Sequence, residues 1–563
     1  MNSSPSSDSP LAASPDHVVE RLNFTTKLAY GAGDLGPAIT ANVLVFFLLY
    51  FFTNVAGLSA GLASSVLAIG KISDAINDPI TGILSDRTRT RWGRRLPWMV
   101  GGAIPFSVLF FLQWLVPEFS PDPVVNQWGL FAYYVIIAIL FNLAYTAVNL
   151  PYTALTPELT QDYNERTGLN SFRMAFSISG SILSLILAQI LFGLYPGDPL
   201  MQYWALGLLC SLISVVAILW CALRIRERGA DPIIPASIRQ GLGYGVIGAG
   251  GLGVFLGVSW IVGGASHWGM IAAVLLGVLG VAFGITLVFS TPEDHLVGEV
   301  AQKARSLAAA APNIPILTQL KVVLKTKPFL FVIGIYLCSW LAVQLTASIL
   351  IYFVVSWMNL PEEAFPGVAI AVQGTALIML FVWKQVSDRV GKKIVYALGT
   401  SIWIIAQGGL FFLQPGQVTA LYLLASLAGC GVSVAYLIPW SMVPDIIEWD
   451  ELNTGQRREG IFYGFMVLLQ KFGLALALFL VGQGLDSAGF VERAPGEPLP
   501  VQPDSALTAI RLVVGPFPIF ILLLGLILVY FYPITRSVHD NIRCQLAERL
   551  AQQKLQAEED ASP

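Results

Sequence analysis

Twelve stretches of about twenty or more apolar residues follow one another along this chain, and that pattern leaves few folds open. They lie at roughly 27–53, 60–85, 97–117, 128–157, 167–194 and 201–223, then 328–357, 364–384, 393–413, 418–441, 460–484 and 507–533. In hydrocarbon every backbone N–H and C=O must be satisfied inside the protein, so such runs read as membrane-spanning helices. Composition agrees, with 55% hydrophobic and 12% charged residues, against about 25% charged in a soluble domain. The expected fold is an all-α polytopic membrane protein.

Charge orients the spans. Arg87, Arg89, Arg91, Arg94 and Arg95 follow the second run, Lys384, Arg389, Lys392 and Lys393 surround the end of the eighth, and Arg457 and Arg458 precede the eleventh. The loops near 118–127, 195–200 and 358–363 contain no Lys or Arg, and 485–505 contains only Arg493. Basic loops stay in the cytoplasm, so both termini are expected inside, in a plasma membrane or a bacterial inner membrane. Residues 1–20 are polar and Pro/Ser-rich without a signal-peptide core, and read as a disordered cytoplasmic tail. A net charge of −3 with no basic face points away from nucleic acid. Five cysteines and four histidines show no disulfide or metal spacing, so no cofactor is expected.

The two halves repeat. Ser85-Asp86-Arg87 precedes Gly93-Arg94-Arg95, and Ser387-Asp388-Arg389 precedes Gly391-Lys392-Lys393. Asp86, Arg87, Arg94, Asp388 and Arg389 are thus candidates for a gating or structural loop. Leu150-Pro151-Tyr152 leads to Pro157-Glu158 as Ile438-Pro439-Trp440 leads to Pro444-Asp445. Matching punctuation in register implies a duplicated six-span unit, with bundles at 21–225 and 325–535. Between them, 226–324 reads as an insert. Its stretches 241–264 and 270–290 carry no formal charge and are long enough to span, so an extra hairpin is expected, with an interfacial Gly-rich excursion as the alternative. The G-x-G-x-x-G at Gly248, Gly250 and Gly253 lacks a preceding strand and suits helix packing rather than nucleotide. Residues 536–563 form a cytoplasmic tail with helical composition.

The second span carries Lys71, Asp74 and Asp78. A carboxylate at bilayer depth costs roughly 2.5–3.5 kcal/mol on insertion scales. At i, i+4 the two aspartates share a helix face and repel each other when both are ionised, so either one holds a proton or a cation sits between them. Thr146 and Asn149 lie at similar depth, about 12 Å from the inner mouth for Asp78 and Asn149, and the four side chains could form an oxygen cage for sodium or trap a proton. Lys71, three residues before Asp74, offers the rival of a structural salt bridge. Arg173 enters the fifth span by about two turns and can snorkel. Lys471 lies midway through the eleventh, too deep to reach water readily, and either binds substrate oxygens or balances the aspartates.

The run YGAGDLG from Tyr30, KISDAINDPITGILSD from Lys71, RWGRRLPW from Arg91, LPYTALTPELT from Leu150 and IPWSMVPDIIEWDE from Ile438 resemble the glycoside–pentoside–hexuronide:cation symporters of the major facilitator superfamily. The likeness covers about 21–225 and 325–535. It implies the major facilitator fold, cation ligands at Asp74, Asp78 and Thr146, a site shared by cation and substrate at Asn149, and substrate-facing charges at Arg173 and Lys471. The chain also departs from that pattern. Asn149 stands where the melibiose-permease branch has an aspartate, Ala38 where it has a sugar-binding aspartate, and Met466 and Val467 where it has polar residues. Asp34, one turn from Ala38, can replace the missing carboxylate as partner to Arg173. Tyr152, Trp340 and Trp440 are candidates to stack on sugar rings, and Gln344 and Gln373 to line the cavity.

The function expected is a cation-coupled symporter of a sugar or glycoside, working as a monomer in the bilayer by alternating access and driven by a monovalent cation, sodium or proton; it is not an enzyme. A rival within transport is an amphipathic lipid such as a lysophospholipid, which the apolar replacements would suit. An intramembrane prenyltransferase is a rival from another class, because D-x-x-x-D can hold magnesium and diphosphate; the duplicated loops argue against it.

Overall fold

The computed structural model describes residues 22–159, 163–227, 325–454, 459–493 and 499–560. The tail 1–20 and the expected hairpin at 241–264 and 270–290 lie outside the described residues. Among the described residues, twelve long helices account for the twelve apolar runs. In the first half they are α1 Phe24–Asn54, α2 Ala60–Arg87, α3 Leu96–Leu112, α4 Pro123–Thr153, α5 Tyr163–Leu194 and α6 Pro199–Arg224. In the second they are α7 Lys327–Trp357, α8 Phe365–Val390, α9 Lys392–Phe412, α10 Val418–Thr454, α11 Glu459–Ser487 and α12 Asp504–Phe531. Ten of these twelve are long and apolar enough to cross a membrane. The others are α3, shorter at 17 residues, and α2, whose length is interrupted by Lys71, Asp74 and Asp78.

Local chemistry sets the helix starts. Asn23 accepts from Thr26 N–H at 2.8 Å, Asp122 from Val124 N–H at 2.9 Å and Asp198 from Met201 N–H at 3.1 Å. Pro123 and Pro199 then occupy first-turn positions, where no N–H is missed. The ends of α1 and α7 are alike: each relaxes into a π-helical turn, Leu44–Leu48 in α1 and Phe353–Trp357 in α7.

Packing repeats with an offset of six helices. The pairs α1–α5, α1–α6, α2–α4, α3–α4 and α3–α6 hold the first bundle. Their counterparts α7–α11, α7–α12, α8–α10, α9–α10 and α9–α12 hold the second. The bundles meet through α2 against α11 and α5 against α8, which the same offset exchanges. Tyr50 and Tyr352, at matching places near the ends of α1 and α7, touch across this interface with ring centroids 5.2 Å apart.

The repeated basic loop is built on glycines in the left-handed region, Gly93 at φ 103° and Gly391 at φ 87°, where a side chain would be strained. In the first half the loop is tied to the chain just past α6. The Glu227 carboxylate accepts the backbone N–H groups of Arg94, Arg95 and Leu96 at 2.8, 2.7 and 2.7 Å. Three donors at the start of α3 thus meet a buried anion, the charge favoured at a helix N-terminus. Glu227→Gln should lower stability by about 2 kcal/mol, read as an earlier thermal midpoint in detergent. Arg87 and Arg389 are exposed, and the Arg389 carbonyl accepts from Arg536 at 3.0 Å. The side chains of Asp86 and Asp388 lie outside the described residues.

The C-terminal helix α13, Arg536–Asp560, docks on the end of α10. His539 Nε2 lies 2.9 Å from Glu448 and 3.4 Å from Asp445, whose carboxylate also holds Lys392 at 2.7 Å.

Candidate cation and substrate site

Asp74 and Asp78 project from the middle of α2 on one face, as their spacing requires. Thr146 of α4 faces them and its hydroxyl lies within hydrogen-bonding distance of both, 2.9 Å from Asp74 Oδ1 and 3.1 Å from Asp78 Oδ1. The other carboxylate oxygens meet a cation from the opposite bundle: Lys471 Nζ of α11 lies 3.0 Å from Asp74 Oδ2 and 2.5 Å from Asp78 Oδ2. Asp74 is 2% exposed and Asp78, one turn nearer the basic loops, has a side chain 26% exposed. The knot is therefore less enclosed at Asp78 than at Asp74. Two carboxylates thus hold one ammonium directly, and a second, that of Lys71, lies close enough on α2 to interact electrostatically with both.

Lys71 lies near the cluster but bonds a different group. Its ammonium lies 3.4 Å from Asn142 Oδ1 on α4, and the lysine that meets the aspartates is Lys471, 393 residues from Asp78. Of the two roles the sequence left open for Lys471, this is the balancing of the aspartates. Asn149, one turn past Thr146, is half-buried, and among the described residues its side chain makes no hydrogen bond in this cluster.

A second polar group lies between α1 and α5. Arg173 Nε is 4.0 Å from Asp34 Oδ2, and that nitrogen is buried without a hydrogen-bond partner. Further along the same pair of helices, Asn42 donates to Ser184 Oγ at 2.8 Å and accepts from Gln373 of α8 at 2.8 Å. Gln373 thus crosses between the bundles. Asn42, its partner, carries no charge and sits in an apolar run, so nothing in the sequence marked it.

The aromatic candidates divide. Tyr152 is fully buried; its ring stacks on Tyr30 at 5.1 Å and its hydroxyl donates to the Tyr30 carbonyl at 2.7 Å. It is packing between α4 and α1, because the end of α4 presses on Gly33 of α1, and this differs from the expected ring-stacking position. Trp340 and Trp440 instead belong to an aromatic wall in the second bundle. Both contact Tyr336, and Trp440 stacks on Tyr463 at 6.2 Å. Trp340 Nε1 and Gln344 Oε1, one turn apart on α7, are buried without hydrogen-bond partners.

The family described as MFS/sugar transport protein matches residues 29–234 and 236–536, running through most of the 226–324 stretch that the motifs alone left outside the likeness. An uncharacterized symporter of Synechocystis sp. is 60% identical over 94% of this chain and 98% of its own. The sodium-dependent lysophosphatidylcholine symporter 1-A of Danio rerio is 26% identical over 94% of this chain and 89% of its own. The inner membrane symporter YicJ of Escherichia coli is 33% identical over 40% of this chain and 47% of its own. Among solved structures, the nucleoside transporter NupG superposes with a TM-score of 0.55 at 11% identity, covering 90% of this chain and 99% of that one. A D-xylose-proton symporter gives 0.53 at 15% identity, covering 90% and 97%. These structures share the fold. The prenyltransferase reading falls with the family match, which makes this chain a transporter and not an enzyme. The chain is a multi-pass membrane symporter belonging to the MFS/sugar transport protein family, the glycoside–pentoside–hexuronide:cation branch of the major facilitator superfamily.

Proposed function

We propose that the protein couples inward movement of a monovalent cation, sodium, to uptake of a sugar or glycoside. The observation that carries this is Lys471 held by Asp74 and Asp78 across the two bundles. In the ion-free carrier the lysine serves as a tethered cation. Sodium entering among Asp74, Asp78 and Thr146 competes with it, frees the ammonium and changes which arrangement of α2 and α11 is favoured. A ligand shifts a conformational equilibrium only by its differential affinity for the two states, and an ion that displaces an inter-bundle contact has that property. The sodium-dependent naming of relatives aligned over most of their length supports sodium over the proton. Basic loops placed in the cytoplasm, as the charge bias suggests, set the direction.

Asn149 and Arg173 with Asp34 would face substrate from the first bundle, and Trp340, Gln344, Gln373 and Trp440 from the second. The unpartnered Trp340 and Gln344 atoms favour a hydroxylated solute. A second reading, a lysophospholipid, is favoured by the lysophosphatidylcholine symporters among the relatives and by apolar Ala38, Met466 and Val467.

Proteoliposomes with an inward sodium gradient should accumulate radiolabelled glycosides at least tenfold over sodium-free controls. Unlabelled sugars should compete and lysophosphatidylcholine should not; competition by the lysolipid alone would establish the second reading.

A further inference from the structure

Arg493 is the only basic residue in the loops on the side away from the basic ones, and the fold puts it to use. Its Nη1 lies 3.4 Å from Glu362 Oε1, in the turn that leads into α8. The same oxygen accepts from the Tyr50 hydroxyl of the first bundle at 3.2 Å. Glu362 is 8% exposed and its Oε2 is buried without a hydrogen-bond partner. This carboxylate therefore depends on Arg493 for its counter-charge.

Other cross-bundle contacts gather at this end. Thr53 bonds Tyr352 at 2.8 Å, Gln189 donates to the Glu363 carbonyl at 2.8 Å, and Ala60 N–H donates to Glu492 at 3.0 Å. Where α2 meets α11, a Cβ on Gly482 would fall 2.1 Å from Ser64 Cβ and 2.6 Å from the Ala60 carbonyl oxygen, so the glycine is what lets the helices approach this closely. These contacts hold the bundles together at the end away from the basic loops.

We propose that Glu362, Arg493 and Tyr50 form the latch of the outer gate, closing the carrier only while Arg493 compensates the buried carboxylate. The inference rests on the orientation proposed above and deepens it. Opening returns Glu362 to water, which relieves its desolvation. Removing Arg493 leaves an uncompensated buried charge in the closed state alone, whereas neutralising both partners leaves none.

The test is a spin-label distance between Val124→Cys and Val418→Cys, exposed first-turn positions on the equivalent helices α4 and α10. The protein is full-length with its native cysteines replaced, in nanodiscs without sodium or substrate. Arg493→Gln should raise the long-distance, open fraction at least tenfold. The added change Glu362→Gln should restore the closed distribution. Gly482→Leu, which wedges α2 from α11 by bulk, should also produce the long distance and shows what the probe reads when the gate opens. An unchanged distribution in Arg493→Gln overturns the latch whatever Gly482→Leu does, as does failure of the double variant to close. Because no cation or substrate is present, neither result bears on the aspartate site.

Discussion

Asp78→Asn should abolish sodium-driven accumulation, at least a hundredfold against wild type, while the protein inserts and melts nearly as before. Lys471 would keep Asp74 at 3.0 Å, so no buried ammonium is stranded, and Thr146 would keep its bond to Asp74. Removing one carboxylate leaves Asp74 alone, already held by Lys471, so sodium loses both a ligand and the charge that would draw it in, and the lower insertion penalty offsets part of what the lost contact contributed. If the aspartates only served Lys71, the added change Lys71→Met would rescue uptake. With Lys71 on Asn142, the double variant should stay inactive. Gradient-driven uptake in proteoliposomes, beside thermal melting in detergent, checks both halves of this expectation.

Lys471→Met should separate exchange from net transport. Without Lys471, the buried Asp74 and the partly exposed Asp78 face each other with the Thr146 hydroxyl between them and no cation bonded to either. Losing one side of a buried charge cluster costs about 3–5 kcal/mol, so the empty variant should melt much earlier than wild type. Sodium should restore most of that loss by supplying the missing charge. The empty carrier must reorient with its aspartates compensated, and Lys471 is the group that does so. In the variant only the sodium-loaded form would cross. Substrate exchange with sodium on both sides should then persist within about threefold, while net uptake falls at least tenfold, a barrier increase of about 1.4 kcal/mol. Equal loss of both activities would show that Lys471 has another task.

Much of this architecture is legible in the sequence because a bilayer narrows the choices. The apolar runs match the twelve bundle helices among the described residues, and the paired G-R-R and G-K-K loops marked the repeat that the packing displays. Breaks inside a run are harder to read. α12 is broken at Gly515 into Asp504–Val514 and Pro516–Phe531, and the Gly-Pro step was the signal for that break. Partners in tertiary space are harder still. The near lysine, Lys71, competed on sequence for a role that geometry gives to Lys471, and Tyr152 looked like a sugar platform until Gly33 let it bury against Tyr30. Glu362 lies in a short turn between helices, where neither hydropathy nor motif marks a carboxylate as buried. Arg493 alone carried a signal, as a positive charge on the side that otherwise has none.

The central claim is that sodium and Lys471 compete for one pair of aspartates. Sodium titration of the melting midpoint tests it most directly, with choline keeping ionic strength constant, on purified wild type, Lys471→Met and Asp78→Asn side by side. The account predicts a half-maximal sodium concentration at least tenfold lower in Lys471→Met than in wild type, about 1.4 kcal/mol in affinity, and no sodium-specific shift in Asp78→Asn. Equal sodium midpoints in wild type and Lys471→Met, or a full sodium response in Asp78→Asn, would contradict it.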